Sequence, residues 1–172
     1  MAGIGVRDVS KGRAQGKDRD YQIQCRDVLI HRNQSLVPYS GDGIDVPFDV
    51  GGTTWSLDVA LRDSSGEAVI AECRRREATV KQEEVAAFAY KVEQLRQALS
   101  LPIAGVFFAK SGHQLGALKV GNFEGITMVI LPEGEKPPGF SIVFQHYDSE
   151  RAKRMKHYVL HAAPGRYTIS GS

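Results

Sequence analysis

The sequence predicts an α/β domain, a mixed central β-sheet flanked by helices with a strand/helix extension at its C-terminal end. Three observations carry this. Amphipathic and strand-like stretches follow one another as helix, strand, strand, helix, strand, helix, strand. The runs 55–62 and 67–74 are joined by Asp63-Ser64-Ser65-Gly66 and read as a hairpin. Two later runs, 103–109 and 126–131, are almost continuously apolar, as in strands buried on both faces of a parallel sheet.

Each element has its own signal. Residues 1–19 carry Arg7, Lys11, Arg13, Lys17 and Arg19 among small and polar residues, and read as a flexible basic arm. Asp20 can cap a helix whose apolar stripe, Tyr21, Cys25, Val28 and Leu29, runs to about Asn33. Residues 34–54 are rich in Gly, Pro, Asp and Ser, which fits a loop or a short edge strand. In the hairpin, alternation puts Leu57, Val59 and Leu61 on one face and Asp58 on the other. Thr79 and Gln82 match a capping box opening a helix with Val85, Phe88, Val92, Leu95 and Leu99 at three- and four-residue spacing. Pro102 precedes the first apolar run. Ser111-Gly112 then turns into a short helix around 113–122, and Gly125 precedes the second run. Residues 132–139 form a connector, 140–147 alternate as a strand, 149–160 fit a helix, and the last stretch fits one more strand. This divides the chain into an arm (1–19), a core domain (20–131) and an extension packed on the core (132–172).

Composition narrows the function. At 172 residues the chain can bury one sizeable core. Hydrophobic residues at 42% and charged residues at 24% are ordinary for a soluble globular domain. No apolar run approaches the ~20 residues of a membrane span, so no membrane partner is expected. Cys25 and Cys73 lack metal-type spacing, which fits two buried thiols in a reducing, cytoplasmic setting. A formal net charge of +2 does not by itself announce a polyanionic partner.

The hairpin carries the chemistry. Its turn sets a register that places Asp58 opposite Glu72, with β-carbons roughly 5 Å apart. Two carboxylates so close repel unless a cation lies between them, and a divalent ion that prefers oxygen suits the gap. Arg74 points to the same side as Glu72. The same residues also fit an ordinary solvated hairpin face.

Asp58, thirteen residues, then Glu72-Cys73-Arg74 resembles the Asp…(Asp/Glu)-x-Lys signature of the restriction-endonuclease-like nuclease superfamily, PD-(D/E)xK. The likeness is greatest to its Mrr-like and Holliday-junction-resolvase-like branch. It extends through AECRRR, TVKQEEVAAFAYKVEQL and GVFFAKSGHQLGALKVGNFEGITMVIL, covering about residues 20–131. The resemblance implies a core of αβββαβ type and a metal-dependent endonuclease acting on DNA, in restriction, repair or recombination. A homodimer is the form such enzymes often take to cut two strands.

It also implies roles. Mg²⁺ or Mn²⁺ would be held by Asp58, Glu72 and the Cys73 backbone carbonyl. Arg74 stands where the family has lysine and cannot act as a base, since a guanidinium stays protonated. It can grip the scissile phosphate or pair with Asp58 and Glu72. Either a helix lysine substitutes, with Lys81 the candidate, or the chain is a catalytically inactive nucleic-acid-binding or assembly module. Gln82 matches a position where relatives place a site-facing glutamine, besides fitting the capping box. Arg75, Arg76, Lys110 and His113 are the expected nucleic-acid contacts, with His113 fitting a helix start equally well. Asp45 is a remote option as a further ligand. No acidic residue on the first helix stands out; Gln22 and Gln24 lie where one would be.

Overall fold

A computed structural model describes residues 9–147, 155–163 and 166–171. Among them are helices α1 (Val9–Arg32), α2 (Gln82–Leu99) and α3 (Leu115–Glu124). The strands are β1 (Val37–Pro38), β2 (Ile44–Val50), β3 (Thr53–Arg62), β4 (Ala68–Arg74), β5 (Ile103–Ala109), β6 (Ile126–Ile130), β7 (Phe140–Tyr147), β8 (Met155–Ala163) and β9 (Arg166–Gly171). All the strands join one sheet, ordered β1-β3-β4-β5-β6-β7-β8-β9, with β2 also paired to β3. The β4–β5 and β5–β6 pairs are parallel and the others antiparallel. This is the mixed sheet with flanking helices that the sequence predicts. No helix among the described residues is long and apolar enough to cross a membrane.

Two cores lie on opposite faces of the sheet. One packs Val85, Phe88, Val92 and Leu95 of α2 and Leu118 of α3 against Ala60, Ile70 and Phe107. Gly105 permits close approach there, because a β-carbon at that position would sit 2.7 Å from Ile126 and 3.0 Å from Val92. The other core packs Tyr21, Cys25 and Val28 of α1 against Val59, Leu61, Ala71, Cys73 and Phe108.

Between Val59 and Leu57 the sheet turns over. Strict alternation would put both on one face, yet Val59 packs in the α1 core and Leu57 in the α2 core. Paired β2 shows the same switch, with Ile44 in the first of these cores and Val46 in the second. Asp45 lies at the switch with φ 50°, a left-handed conformation that Asp tolerates better than most residues. The ladder runs Ile44↔Val59 and then Val46↔Leu57, omitting Asp45 opposite Asp58. Beyond this kink the β2–β3 hairpin curls over α2, where the Trp55 and Tyr90 rings lie 5.9 Å apart.

Three other expectations are corrected. Asp20 is inside α1, which begins at Val9, rather than at its cap; Asp18 and Arg19 fasten that earlier turn through ion pairs that apolar periodicity cannot reveal. Thr79 does not cap α2. Val80 stays extended because its N–H donates to the Gly112 carbonyl and its carbonyl accepts from Gln114, so the helix opens later, with Lys81 as cap and Glu84 accepting the Lys81 N–H at 3.0 Å. The 149–160 helix is also replaced where it is described. Residues 155–163 form β8, pairing with β7 from Phe140↔Ala162 to Tyr147↔Met155, while 148–154 lie outside the described residues. Local helix propensity is a weak prior beside an available strand edge.

Phe88, 1% exposed, and Phe123, 87% exposed, test this packing. Phe88→Ala is expected to cost about 3–5 kcal/mol in denaturant unfolding, and Phe123→Ala less than about 0.5 kcal/mol.

Candidate active site

The site lies where β3 leaves β4. Their ladder runs from Arg62↔Ala68 to Val59↔Ala71 and stops one pair short of Asp58 and Glu72. The register is the one read from the turn, but the last pair is replaced. The Cys73 N–H, which has lost its backbone partner, donates to Asp58 Oδ2 at 2.7 Å. From α1, Gln22 donates through Nε2 to Asp58 Oδ1 (3.1 Å) and to Asp45 Oδ1 (3.0 Å). Asp58 is therefore gripped from both sides of the fork.

Glu72 and Arg74 alternate onto the α2 face of β4. Arg74 Nη2 lies 2.6 Å from Glu72 Oε1, Nη1 lies 3.8 Å from Asp58 Oδ2, and Nε lies 3.3 Å from Glu84 Oε1. One guanidinium thus spans three carboxylates from β3, β4 and α2. Burial opposes its charge, but Glu72 and Asp58 outweigh that and push its pKa further up. Burial and the neighbouring Glu72 carboxylate raise Asp58 to about 6, with Cys73, Arg74 and Gln22 pulling the other way.

Glu72 is 5% exposed, and its Oε2 accepts no hydrogen bond among the described residues. A buried, incompletely satisfied carboxylate oxygen is costly and suits a cation. Lys91 of α2 pairs with this oxygen, its Nζ 3.6 Å away. The Cys73 carbonyl shares the side of its N–H, because both groups of a strand residue point the same way. The Arg74 carbonyl points oppositely, accepting from Lys110 N in the direction of β5. Asp58, Glu72 and the Cys73 carbonyl thus bound one region. Among the described residues no three His, Cys, Asp or Glu side chains form a metal cage. These donors nevertheless fit Mg²⁺, which retains waters and needs only one or two carboxylates. A cleft of about 290 Å³ opens there, lined by Asp18, Gln22, Asp58, Cys73, Arg74, Arg75 and Arg76.

The remaining expected residues divide. Arg75 and Arg76 line the cleft, and Lys110 follows the end of β5 beside them. Lys81 is exposed at the start of α2 and pairs with none of the site acids among the described residues. Gln82 lies against α3, its Oε1 filling the space where a β-carbon on Gly116 would stand. His113 is buried, its Nδ1 2.6 Å from Gln145 Oε1 and its ring edge-on to Phe107, and burial lowers its pKa. It is packed into the core and not presented to a ligand. Lys91, Glu84 and the bridging role of Gln22 were missed. Glu84 and Lys91 lie along one stripe of α2 with Phe88, and that spacing was the available signal.

No family model and no curated protein matches the chain. Among solved structures it is similar to the EndoMS-dsDNA2 complex, with 20% identity and TM-score 0.48, over 68% of this chain and 46% of that one. It is similar to a repair endonuclease from Pyrococcus abyssi, with 22% identity and TM-score 0.44, over 59% and 42% of the two chains. It is also similar to AF1548, a protein of unknown function, with 13% identity and TM-score 0.52, over 65% and 56%. The chain thus spans about half the length of the structures it matches. At these identities the likeness concerns the fold alone, a mixed sheet flanked by helices.

The raised Asp58 pKa makes a signed prediction for the metal-free protein. Between about pH 4 and pH 6 the unfolded chain releases a proton that folded Asp58 retains, so Asp58 lowers stability as pH rises through that window. Asp58→Asn removes the loss. Unfolding free energies measured in chelator should shift in favour of the variant by on the order of 1–2 kcal/mol across the window, and stay level above it.

Proposed function

We propose that the chain is a metal-dependent phosphodiesterase acting on DNA, an endonuclease of the Mrr-like and Holliday-junction-resolvase-like kind that its motif resembles. The observation carrying this reading is the meeting of Asp58 and Glu72 across a strand fork, with one Glu72 oxygen buried and without a hydrogen bond among the described residues. Asp58, Glu72 and the Cys73 carbonyl would hold Mg²⁺ or Mn²⁺. When bound, the ion supplies a Lewis acid and a water acidic enough to ionise near neutral pH.

The chain's own groups do the rest. Gln22 and the Cys73 N–H fix the Asp58 carboxylate before anything binds, which lowers the ordering cost of the reaction. Arg74 moves from the acids to the phosphate, keeping Glu84 as a partner, and its planar fork neutralises two phosphate oxygens. Lys91, beside Glu72, takes the task that the family's motif lysine has, orienting the attacking water through Nζ. A homodimer would present two such sites to two strands.

A second reading rests on Arg74 itself. As a resident counter-ion between Asp58 and Glu72, it describes a nuclease-fold module that binds nucleic acid or a partner without cutting.

Incubation of the purified chain with plasmid or branched DNA and Mg²⁺ or Mn²⁺ separates the readings. Cleavage is expected, abolished in Asp58→Ala, reduced about 10²-fold or more in Lys91→Ala and nearly unchanged in Lys81→Ala. Activity persisting in Asp58→Ala sinks the nuclease assignment. A calorimetric Mn²⁺ titration, with Glu72→Ala as the non-binding control, addresses Arg74. Weak binding by the native chain and tighter binding by Arg74→Lys is the expected pair of results; weaker binding by that variant would show that Arg74 does not compete with the ion.

A further inference from the structure

The three parallel strands β4, β5 and β6 end at one edge of the sheet, and beside that edge lies the cleft. Carboxyl ends of parallel strands are where open α/β sheets bind ligands. Three cations stand there, and each is engaged by an acid from another element. Arg75 Nε lies 2.8 Å from Asp18 Oδ1 of α1, and its Nη1 lies 3.6 Å from Glu133 Oε1. Lys110 Nζ lies 3.0 Å from Glu133 Oε2 and also pairs with Glu77. Arg76 pairs with Glu84. Glu133 follows β6 and Pro132, and it places one oxygen on each of two cations.

A carboxylate spanning a guanidinium and an ammonium through separate oxygens occupies the position that a phosphodiester would take with its two unesterified oxygens. The arrangement is also easy to displace. Arg75 and Lys110 are partly exposed, with side chains 23% and 22% accessible, whereas Asp18 and Glu133 are well exposed at 59% and 39%. Ion pairs at such exposure are weak and screened by salt. A DNA backbone brings many charges and releases counterions, so it outcompetes an isolated carboxylate. A phosphate placed on Arg75 and Lys110 would meet like charge from Glu133 and Asp18, so those carboxylates must move aside for it.

We propose that Arg75 and Lys110 form a backbone-phosphate site for DNA, which Glu133 and Asp18 occupy in the free protein and vacate when DNA binds. The proposal rests on DNA as the ligand of the neighbouring acid pair, but it makes no use of cleavage. Through Asp18 the contact also ties α1, which carries Gln22, to the state of the phosphate site.

The test is fluorescence anisotropy with a labelled duplex of arbitrary sequence, in chelator, across a salt series. Glu133→Gln and Asp18→Asn/Glu133→Gln should bind about fivefold to tenfold more tightly than the native chain. Arg75→Ala or Lys110→Ala in the double-variant background should cancel that gain. Glu67→Gln removes the same charge from the hairpin turn at the other end of β4 and should change affinity less than twofold. Equal gains from Glu67→Gln and Glu133→Gln would reduce the effect to net charge and overturn the proposal, as would unchanged or weaker binding in the Glu133 variants. Absence of DNA binding by every form overturns both this proposal and the DNA reading. Tighter binding by the variants without cleavage by the native chain leaves the phosphate site standing and removes the nuclease.

Discussion

The hydrogen bond from the Cys73 N–H to the Asp58 carboxylate organises the region on which the proposed chemistry depends. A strand that leaves a sheet strands the backbone groups of its former neighbour, and buried backbone groups must find partners. Asp58 provides one at the point of departure. That frees the earlier part of β3 to roll with β2 over α2, moving Leu57 into the α2 core while Val59 remains in the α1 core. The same bond fixes the carboxylate facing Glu72. Structure and site are therefore one event, with a side chain standing in for a missing rung.

The fork concentrates negative charge where water is partly excluded. Asp58 and Glu72 enter from neighbouring strands and Glu84 enters from α2, so a cation in that space is an electrostatic necessity. Arg74 supplies it in the free chain. A guanidinium suits the task because it remains charged and presents several donors in one plane, so it satisfies three acids together. Lysine would bring all its donors on one nitrogen, whereas the guanidinium meets the three acids through three nitrogens. Arginine at this position therefore sets the resting state of the site. The carboxylates are held by an internal counter-ion, and any incoming ion or phosphate competes with it.

The pattern continues outward. Arg75, Arg76 and Lys110 are held by Asp18, Glu84, Glu77 and Glu133 just as Arg74 is held by the fork acids. The elements that contribute those acids are α1, α2 and the segments that follow β4 and β6, so ion pairs lace together parts of the chain that the two apolar cores fix separately. The inner pairs are partly desolvated and strong, whereas the outer ones are exposed and exchangeable. The exposure of these pairs thus increases from Glu72 outwards to Asp18 and Glu77.

Much of the core was legible in the sequence. The turn Asp63–Gly66 determines the β3–β4 register, and that register brings Asp58 to Glu72. The apolar run at 103–109 is β5, and the run at 126–131 contains β6, because strands covered on both faces leave no polar alternation. The stripe at Val85, Phe88, Val92 and Leu95 is the buried side of α2. What sequence could not decide depended on contacts between distant segments. Thr79 has the right spacing for a cap, but the Val80 pairing with Gly112 and Gln114 delays the helix. Lys81 and Lys91 lie at the beginning and middle of one helix, and only the packing of α2 on the sheet brings Lys91 to Glu72. Residues 155–160 have helix-forming composition, yet the free edge of β7 draws them into a strand. Sequence by itself determined which residues are apolar on which period, and hence β3 to β6, the buried stripe of α2 and, through the turn, the acid pair. Only tertiary structure decided where the sheet turns over and which cation meets which acid, because those outcomes rest on the meeting of chain segments dozens of residues apart.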